Sequence, residues 1–342
     1  MDSTTRRVGI IGASGYTGAE LLRLIAGHPD LELVVATGDS MAGRQAGDLY
    51  PSLAVAYPDL VFSEFDPKVV AGLDLVFLGL PHEASMELAP QLVGNVGCVV
   101  DLSAAFRLKD AAHYPTYYGF EHRQRDLLDE AVFGLPELHR SELAGARLIA
   151  TPGCHVTAAT LALQPLVAAG LIEDAGIIVN NVTGITGAGR NPTETNVFTN
   201  IDSNVVAYGV GHHRHTPEME QEIGATVTFT PHLVPMSRGI LATCYARPMP
   251  NCSQEQLNQV LATAYANEPF TAVIDTPPAT KSVLGSNAAL VCARLDERTN
   301  TVITMCAIDN LTKGASGGAL QAANVALGLD ECAGLSMIGL AP

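Results

Sequence analysis

The chain has 342 residues, enough for two domains with sizeable cores, and it is 47% hydrophobic and 16% charged, with 32 Gly and no Trp. Its formal charge of −16 argues against a nucleic-acid surface or an anionic-membrane partner, both of which favour a basic face. Seven cysteines (Cys98, Cys154, Cys244, Cys252, Cys292, Cys306 and Cys332) show no CxxC or other zinc spacing, and an odd count without a signal peptide leads us to expect a reducing cytoplasm.

In chain order, 7–11 (RVGII) reads as a short apolar strand, followed by GASGYTG and then AELLRLIAG at helical spacing with Gly27 as its C-cap. Strands follow at 31–37, 73–79 and 96–102, with a helix over 82–92 between the last two. This alternation predicts a Rossmann-type, doubly wound parallel sheet up to about residue 150. The stretch 148–172 contains no Asp, Glu, Lys or Arg, but Pro152, Gly153, His155, Gln164 and Pro165 interrupt it, so strand–turn–helix is favoured over a membrane span. Beyond it, longer strands are expected at 175–182, 226–233, 239–247, 288–295 and 301–308, with DERTN as a hairpin turn, then a Gly/Ala-rich helix over 315–327. The expected organisation is α/β. An NAD(P)-binding domain spans 1–150 and is completed by a C-terminal helix within 314–342; an α+β catalytic and dimerisation domain with a mostly antiparallel sheet spans 151–313.

The loop Gly12-Ala-Ser14-Gly15-Tyr16-Thr17-Gly18 is a GxxGxxG between a strand and a helix. Glycine suits a tight turn that must approach a pyrophosphate, while the helix N-terminus attracts its charge. Asp39, 21 residues past Gly18, stands where an acidic residue holds a ribose 2′-hydroxyl, whereas Ser40 and Arg44 beyond it suit a 2′-phosphate; Asp39 as a solvated loop charge is the third reading. A short-chain dehydrogenase is disfavoured because no Tyr has a Lys four residues later.

Cys154 lies in ATPGCHVTAATLALQPL, after Pro-Gly and before an apolar helical run, so its sulfur sits at a helix mouth where free N–H groups favour an anion. A helix terminus contributes only about 0.3–1 kcal/mol, less than one pKa unit, so an imidazole partner is needed to activate the thiol. His213 and His215 in HHRHTPEMEQE, about sixty residues on, supply candidates. His155 adjoins the cysteine but is the weaker candidate, since neighbouring side chains at a helix start diverge. His212, His213 and His215 as zinc ligands are disfavoured, because no compact Cys or carboxylate set completes a site, and no metal is expected. Arg107 in DLSAAFRL, Arg190 in TGITGAGR and Lys313 in DNLTKGASGG set cations beside small-residue turns that suit phosphate or carboxylate.

GASGYTGAELLRL, DLSAAFRL, FGLPE, TPGCHVTAATLAL, TGITGAGR, HRHTPEMEQE, MSRGI and DNLTKGASGGALQ occur in the order that characterises the N-acetyl-γ-glutamyl-phosphate reductases of arginine biosynthesis, and from about residue 8 to 328 the chain resembles that family. The glycine loop is shared with aspartate-semialdehyde dehydrogenases; the cysteine and HRHxPE motifs are more specific. The resemblance implies NADPH-dependent reduction of an acyl phosphate to an aldehyde, with Cys154 as the nucleophile forming a thioester. His213 or His215 would move the proton, and Tyr208 would help to position it. Ser103, Arg107, Thr186 and Arg190 would hold the substrate. Gly12, Ser14, Gly15, Tyr16, Thr17, Gly18, Ser40, Arg44, Asn310 and Lys313 would line the cofactor. The family often carries Ser where Thr186 stands, and a basic or neutral residue where Asp39 stands. No metal is implied; the expected partners are a small acyl-phosphate substrate and a second copy of the chain, as a dimer or tetramer. The same chemistry on N-acetyl-aminoadipyl or aspartyl phosphate is the alternative, since one methylene shifts discrimination by only about 1–3 kcal/mol. A catalytically silent nucleotide sensor is the remote one.

Overall fold

The computed structural model describes residues 5–341 except Thr195 and Asn251, so the outermost ends of the expected domain spans, 1–4 and 342, lie outside the described residues. The chain folds as two compact units, Met1–Pro152 with Ala315–Leu335, and Gly153–Gly314 with Ser336–Pro342.

The first unit is built on six parallel strands in the order β2-β1-β3-β4-β6-β5. They are β1 (Arg6–Ile11), β2 (Leu31–Ala36), β3 (Leu75–Leu78), β4 (Cys98–Asp101), β5 (Val132–Phe133) and β6 (Leu148–Ala150). Every residue of β3 and β4 is buried, as strands covered by helices on both faces of a parallel sheet are, and all are apolar except Asp101 at the end of β4. The helices Tyr16–Ile25 and His82–Leu92 form where the 3.6-residue pattern predicts them. The order reverses at β1, with β2 on one side and β3 on the other, and such a switch point opens a crevice at the carboxyl ends of the strands.

Two local expectations are corrected here. Gly27 is not a left-handed cap: Tyr16–Ile25 ends at Ala26 in the right-handed region. Gly27 N–H and His28 N–H donate to Leu24 and Ile25 at 3.2 and 3.0 Å, so tighter i→i−3 bonds satisfy the last carbonyls. The helix expected within 314–342 occupies only Gly317–Leu327, entered through a π-helical turn, Thr312–Ser316, and closed by Gly328 at φ +67°.

The second unit carries seven strands in the order β11-β12-β13-β10-β7-β9-β8. They are β7 (Ile177–Gly184), β8 (Val206–Ala207), β9 (Val227–Val234), β10 (Ile240–Ala246), β11 (Thr271–Val273), β12 (Ala289–Asp296) and β13 (Thr301–Ile308). Four of its ladders are antiparallel, as the alternating patterns imply, and β7–β9 and β11–β12 are parallel. One face packs against the helix Cys154–Ala168, which is apolar on nearly all sides and correspondingly buried. Pro165 removes the N–H that would reach Leu161 O, and the Tyr265 hydroxyl donates to that carbonyl instead, at 2.6 Å. On the opposite face Ile178, Tyr245 and Ile303 share one cross-strand row and are only partly covered. Among the described residues no helix is long and apolar enough to cross a membrane.

Candidate active site

The three glycines of the first loop answer to three different constraints. Gly12 sits at φ +88°, where a side chain is strained, and a Cβ there would fall on the Gly79 carbonyl of the loop after β3. A Cβ on Gly18 would fall on the Ala13 backbone, so this glycine lets the helix close onto the strand. A Cβ on Gly15 would meet nothing within 4 Å. Gly15 is also the N-cap of Tyr16–Ile25 and brings no capping side chain, so the first N–H groups of that helix remain for an anion. An open cradle over uncapped N–H groups fits a dinucleotide pyrophosphate.

The loop is braced from outside. Ser14 Oγ donates to Gly38 O at 3.2 Å, Tyr50 Oη donates to Ser14 O at 2.9 Å, and Ser316 Oγ donates to Thr17 O at 2.8 Å. Asp39, Ser40 and Arg44 are exposed just past β2, with Asp39 in the left-handed region at φ +48°. Tyr16 and Thr17 are half-buried at the start of the helix.

At the end of β4, the fully buried Asp101 organises the Ser103–Arg107 turn. Its Oδ1 accepts from Ser85 Oγ at 2.6 Å and from Ser103 N at 3.0 Å, and its Oδ2 accepts from Ser103 Oγ at 2.7 Å. Burial nonetheless pushes the Asp101 carboxyl above the usual range, against the lowering by these bonds and by Arg107. Ser103 Oγ also accepts from Ala105 N, so the hydroxyl expected to hold substrate is taken up within the turn. Arg107 is buried and donates to Leu102 O at 3.0 Å. His82 Nδ1 accepts from Ala104 N at 3.0 Å.

In the second unit Cys154 is the first residue of its helix, with Gly153 as a N-cap that offers no side chain. The Gly153 N–H donates to Oε1 of the fully buried Glu218 at 2.7 Å. The sequence reading missed Glu218; its signal was an acid three residues past His215 in the first turn of Thr216–Ile223. An ideal Cβ on Gly153 would lie 2.6 Å from His215 Nε2, which places that imidazole against the residue preceding the nucleophile. Gly314, in the π-helical turn, packs from another side: a Cβ there would lie 2.9 Å from Cys154 Cβ. Such turns recur where a functional side chain must be accommodated.

His155, Tyr208, His213, His215 and Phe229 form one ring cluster. His155, the weaker candidate by sequence, is central to it. His155 Nε2 is hydrogen-bonded with Tyr208 Oη at 2.9 Å, and its Nδ1 with Asn181 Nδ2 at 3.2 Å. Burial, with His213 and Arg214 close by, pushes its pKa down to about 3. His213 Nδ1 accepts from the His215 N–H at 3.0 Å, and burial, with Arg214 and His212, lowers its pKa to about 4. Burial also pushes the Tyr208 phenol above its ordinary value, with Cys154 adding to the rise.

The remaining expected residues are placed as follows. Thr186 Oγ1 donates to Ser237 O at 2.7 Å and accepts from Asn310 Nδ2 at 2.9 Å, and Asn310 Oδ1 accepts from Gly239 N at 2.7 Å. Both side chains thus lock loops of the second unit together. Lys313 is buried, with its Nζ 5.9 Å from the Phe270 ring centroid. Arg190 is half-buried in its Gly-rich turn. Arg238, of the MSRGI run, pairs with the buried Asp309 at 3.0 Å and donates to Thr312 Oγ1 at 3.0 Å, a non-local link that spacing could not reveal. No group of three or more His, Cys, Asp or Glu suited to a metal occurs among the described residues.

Residues 7–146 match the semialdehyde dehydrogenase NAD binding domain, and residues 154–310 the semialdehyde dehydrogenase dimerisation domain. The N-acetyl-gamma-glutamyl-phosphate reductase of Desulforudis audaxviator is 45% identical over 345 residues, covering 98% of this chain and 99% of that one. The chain belongs to this reductase family. Its counterparts from Symbiobacterium thermophilum and Acidothermus cellulolyticus are 45% and 46% identical, each over 98% of this chain and 99% of theirs. Among solved structures, aspartate semialdehyde dehydrogenase II of Vibrio cholerae superposes with a TM-score of 0.69 at 18% identity, covering 94% of this chain and 98% of that one. The Candida albicans enzyme, solved with NADP, also gives 0.69 at 18% identity, covering 94% of this chain and 100% of that one. The reductase family and these structural neighbours are oxidoreductases, and the first unit has the fold of their nucleotide-binding domain.

Proposed function

We propose that this chain reduces N-acetyl-γ-glutamyl phosphate to N-acetylglutamate 5-semialdehyde, with release of phosphate, as a cytoplasmic step of arginine biosynthesis. The carrying observation is Cys154 at an uncapped helix start, flanked by the His215 ring and by Glu218 on the Gly153 N–H. The Cys154 thiolate attacks the acyl carbon, the carbon–oxygen bond to phosphate breaks, and a thioester remains on the sulfur. When bound, NADPH supplies the hydride that reduces this thioester. The resulting hemithioacetal expels the thiolate and releases the aldehyde. His215 takes the thiol proton and returns it. Its packing against Gly153 favours it over His213, whose Nδ1 is occupied by a backbone N–H.

Gly12, Ser14, Gly15, Tyr16, Thr17 and Gly18 hold the dinucleotide, with the Gly15 cradle on the pyrophosphate, and Ser40 and Arg44 receive the 2′-phosphate of NADP. Arg107 and Arg190 engage the anionic groups of the substrate, while Ser103 and Thr186 act by fixing the turns that carry those groups. Asn310 and Lys313 serve the cofactor side from the turn before the last helix. The partly covered row Ile178–Tyr245–Ile303 pairs two copies of the chain through the sheet of the second unit.

The test is the reverse reaction: N-acetylglutamate 5-semialdehyde with phosphate and either NADP or NAD, followed by reduced-cofactor absorbance. Phosphate-dependent growth with NADP supports the reading. A folded protein that is silent with this aldehyde, or active only with its longer homologue, overturns the substrate. A preference for NAD overturns the role given to Ser40 and Arg44 and returns Asp39 to the ribose.

A further inference from the structure

His155 has no step in the reaction above, yet its ring is fully ordered by its neighbours. It is buried, and Phe229, His213 and His215 pack around it with ring centroids at 5.3, 5.7 and 5.7 Å. Asn181, buried on β7, directs its Nδ2 at two acceptors, His155 Nδ1 at 3.2 Å and His155 O at 3.4 Å. The backbone carbonyl can only accept, so the amide nitrogen must face it, and this fixes the orientation of the Asn181 side chain. Nδ1 therefore accepts, and in a neutral imidazole the proton must sit on Nε2. Nε2 lies 2.9 Å from Tyr208 Oη, so the phenol oxygen is the acceptor in that bond. The phenol's own proton must then point elsewhere. Tyr208 stands in the ring cluster that reaches the nucleophile: its ring lies 5.5 Å from His213 and His213 4.8 Å from His215, whose imidazole packs against Gly153, the residue before Cys154.

We propose that Asn181 and His155 form a positioning relay that turns the Tyr208 hydroxyl proton toward the Cys154 sulfur and the oxygen that gains charge on the attacked acyl carbon. Asn181 sets the His155 tautomer, His155 occupies the phenol lone pair, and Tyr208 is left as a preorganised donor. Such a donor is most effective in a buried, dry site, because it needs no reorientation as charge develops. His155 acts through Tyr208 and touches no reacting atom. The relay rests on the reading of Cys154 as the nucleophile, but not on which acyl phosphate is reduced.

The test measures the iodoacetamide reaction of Cys154 in the free protein, read on its own peptide by mass spectrometry so that Cys252 and Cys332 do not interfere. His155→Phe and Tyr208→Phe should each slow labelling at fixed pH by roughly ten- to a hundredfold, the effect of one lost hydrogen bond to a charged group. The double variant should be no slower than Tyr208→Phe alone, and His155→Gln, which keeps a donor toward Tyr208 and an acceptor for Asn181, should restore most of the rate. Additive losses in the double variant, or a His155→Phe rate equal to wild type, would overturn the relay. Should His155→Phe fail to fold, the tautomer is read directly in the wild type by nitrogen-15 NMR: a neutral Nε2–H ring is expected, and an Nδ1–H or doubly protonated ring at neutral pH overturns the proposal. If labelling follows this pattern while the wild type leaves N-acetylglutamate 5-semialdehyde untouched, the substrate assignment fails and the relay stands.

Discussion

Alanine at Gly153 would place a methyl group 2.6 Å from Nε2, 2.7 Å from Cε1 and 2.8 Å from Cδ2 of His215. The backbone is at φ −65° and ψ 141°, which alanine adopts without strain, so the perturbation is purely steric. Non-bonded heavy atoms settle at about 3.5–4.0 Å, and the ring must therefore retreat by about 1 Å. It cannot do so freely, because His213 and His155 flank it at centroid distances of 4.8 and 5.7 Å. Overpacking of this kind costs about 1–3 kcal/mol of stability, seen as a modest fall in melting temperature. A displacement of about 1 Å in a group that must meet the nucleophile costs on the order of a hundredfold in rate. In the reverse assay Gly153→Ala should lose about two orders of magnitude in kcat/KM, with the Michaelis constant for NADP unchanged. A folded Gly153→Ala protein within threefold of wild type would refute the placement of His215 as the proton-transfer partner of Cys154.

The glycine loop makes a contrasting set. Gly15→Ala should fold normally and raise the Michaelis constant for NADP, since its Cβ meets no protein atom, whereas Gly18→Ala and Gly12→Ala should fold poorly because theirs fall on backbone; thermal unfolding and cofactor titration separate the two classes. Asp101→Asn sets an amide N–H against one of the donors on Ser85 and Ser103, and should cost about 1–3 kcal/mol in urea unfolding and raise the Michaelis constant for the anionic substrate more than it lowers kcat. Stability should fall with acid: an unfolded histidine takes a proton below about pH 6.5, while folded His155 resists until about 3 and His213 until about 4. The unfolded state binds more protons in that window, so unfolding free energy declines as pH drops from about 6.5. His155→Gln should flatten that decline in urea titrations between pH 7 and 4, and an unchanged slope would contradict the buried neutral ring.

The scaffold was legible wherever a feature is local. The short apolar run before Gly12–Gly18 and the 3.6-residue period after it mark strand, loop and helix, and Pro152-Gly153 before an apolar run marks the start of the cysteine helix. The hairpin of β12 and β13 was visible in DERTN. What sequence could not show is non-local. Nothing in PEME says that Glu218 turns inward to the Gly153 N–H, and nothing in MSRGI says that Arg238 pairs with Asp309. His155 was undervalued because side chains of successive helical residues diverge; strand β7 and the residue after β8 supply the partners that bring it into the cluster. Gly27 misled because a helix can also end through i→i−3 bonds.

The most direct test of the cysteine thioester is a rapid-mixing experiment with N-acetylglutamate 5-semialdehyde and NADP in the absence of phosphate. A burst of one NADPH per active chain is expected, with an N-acetylglutamyl adduct on the Cys154 peptide, discharged into steady turnover when phosphate is added; Cys154→Ala should show neither. A burst that survives in Cys154→Ala, or turnover in the wild type without any adduct on Cys154, would contradict covalent catalysis through this residue.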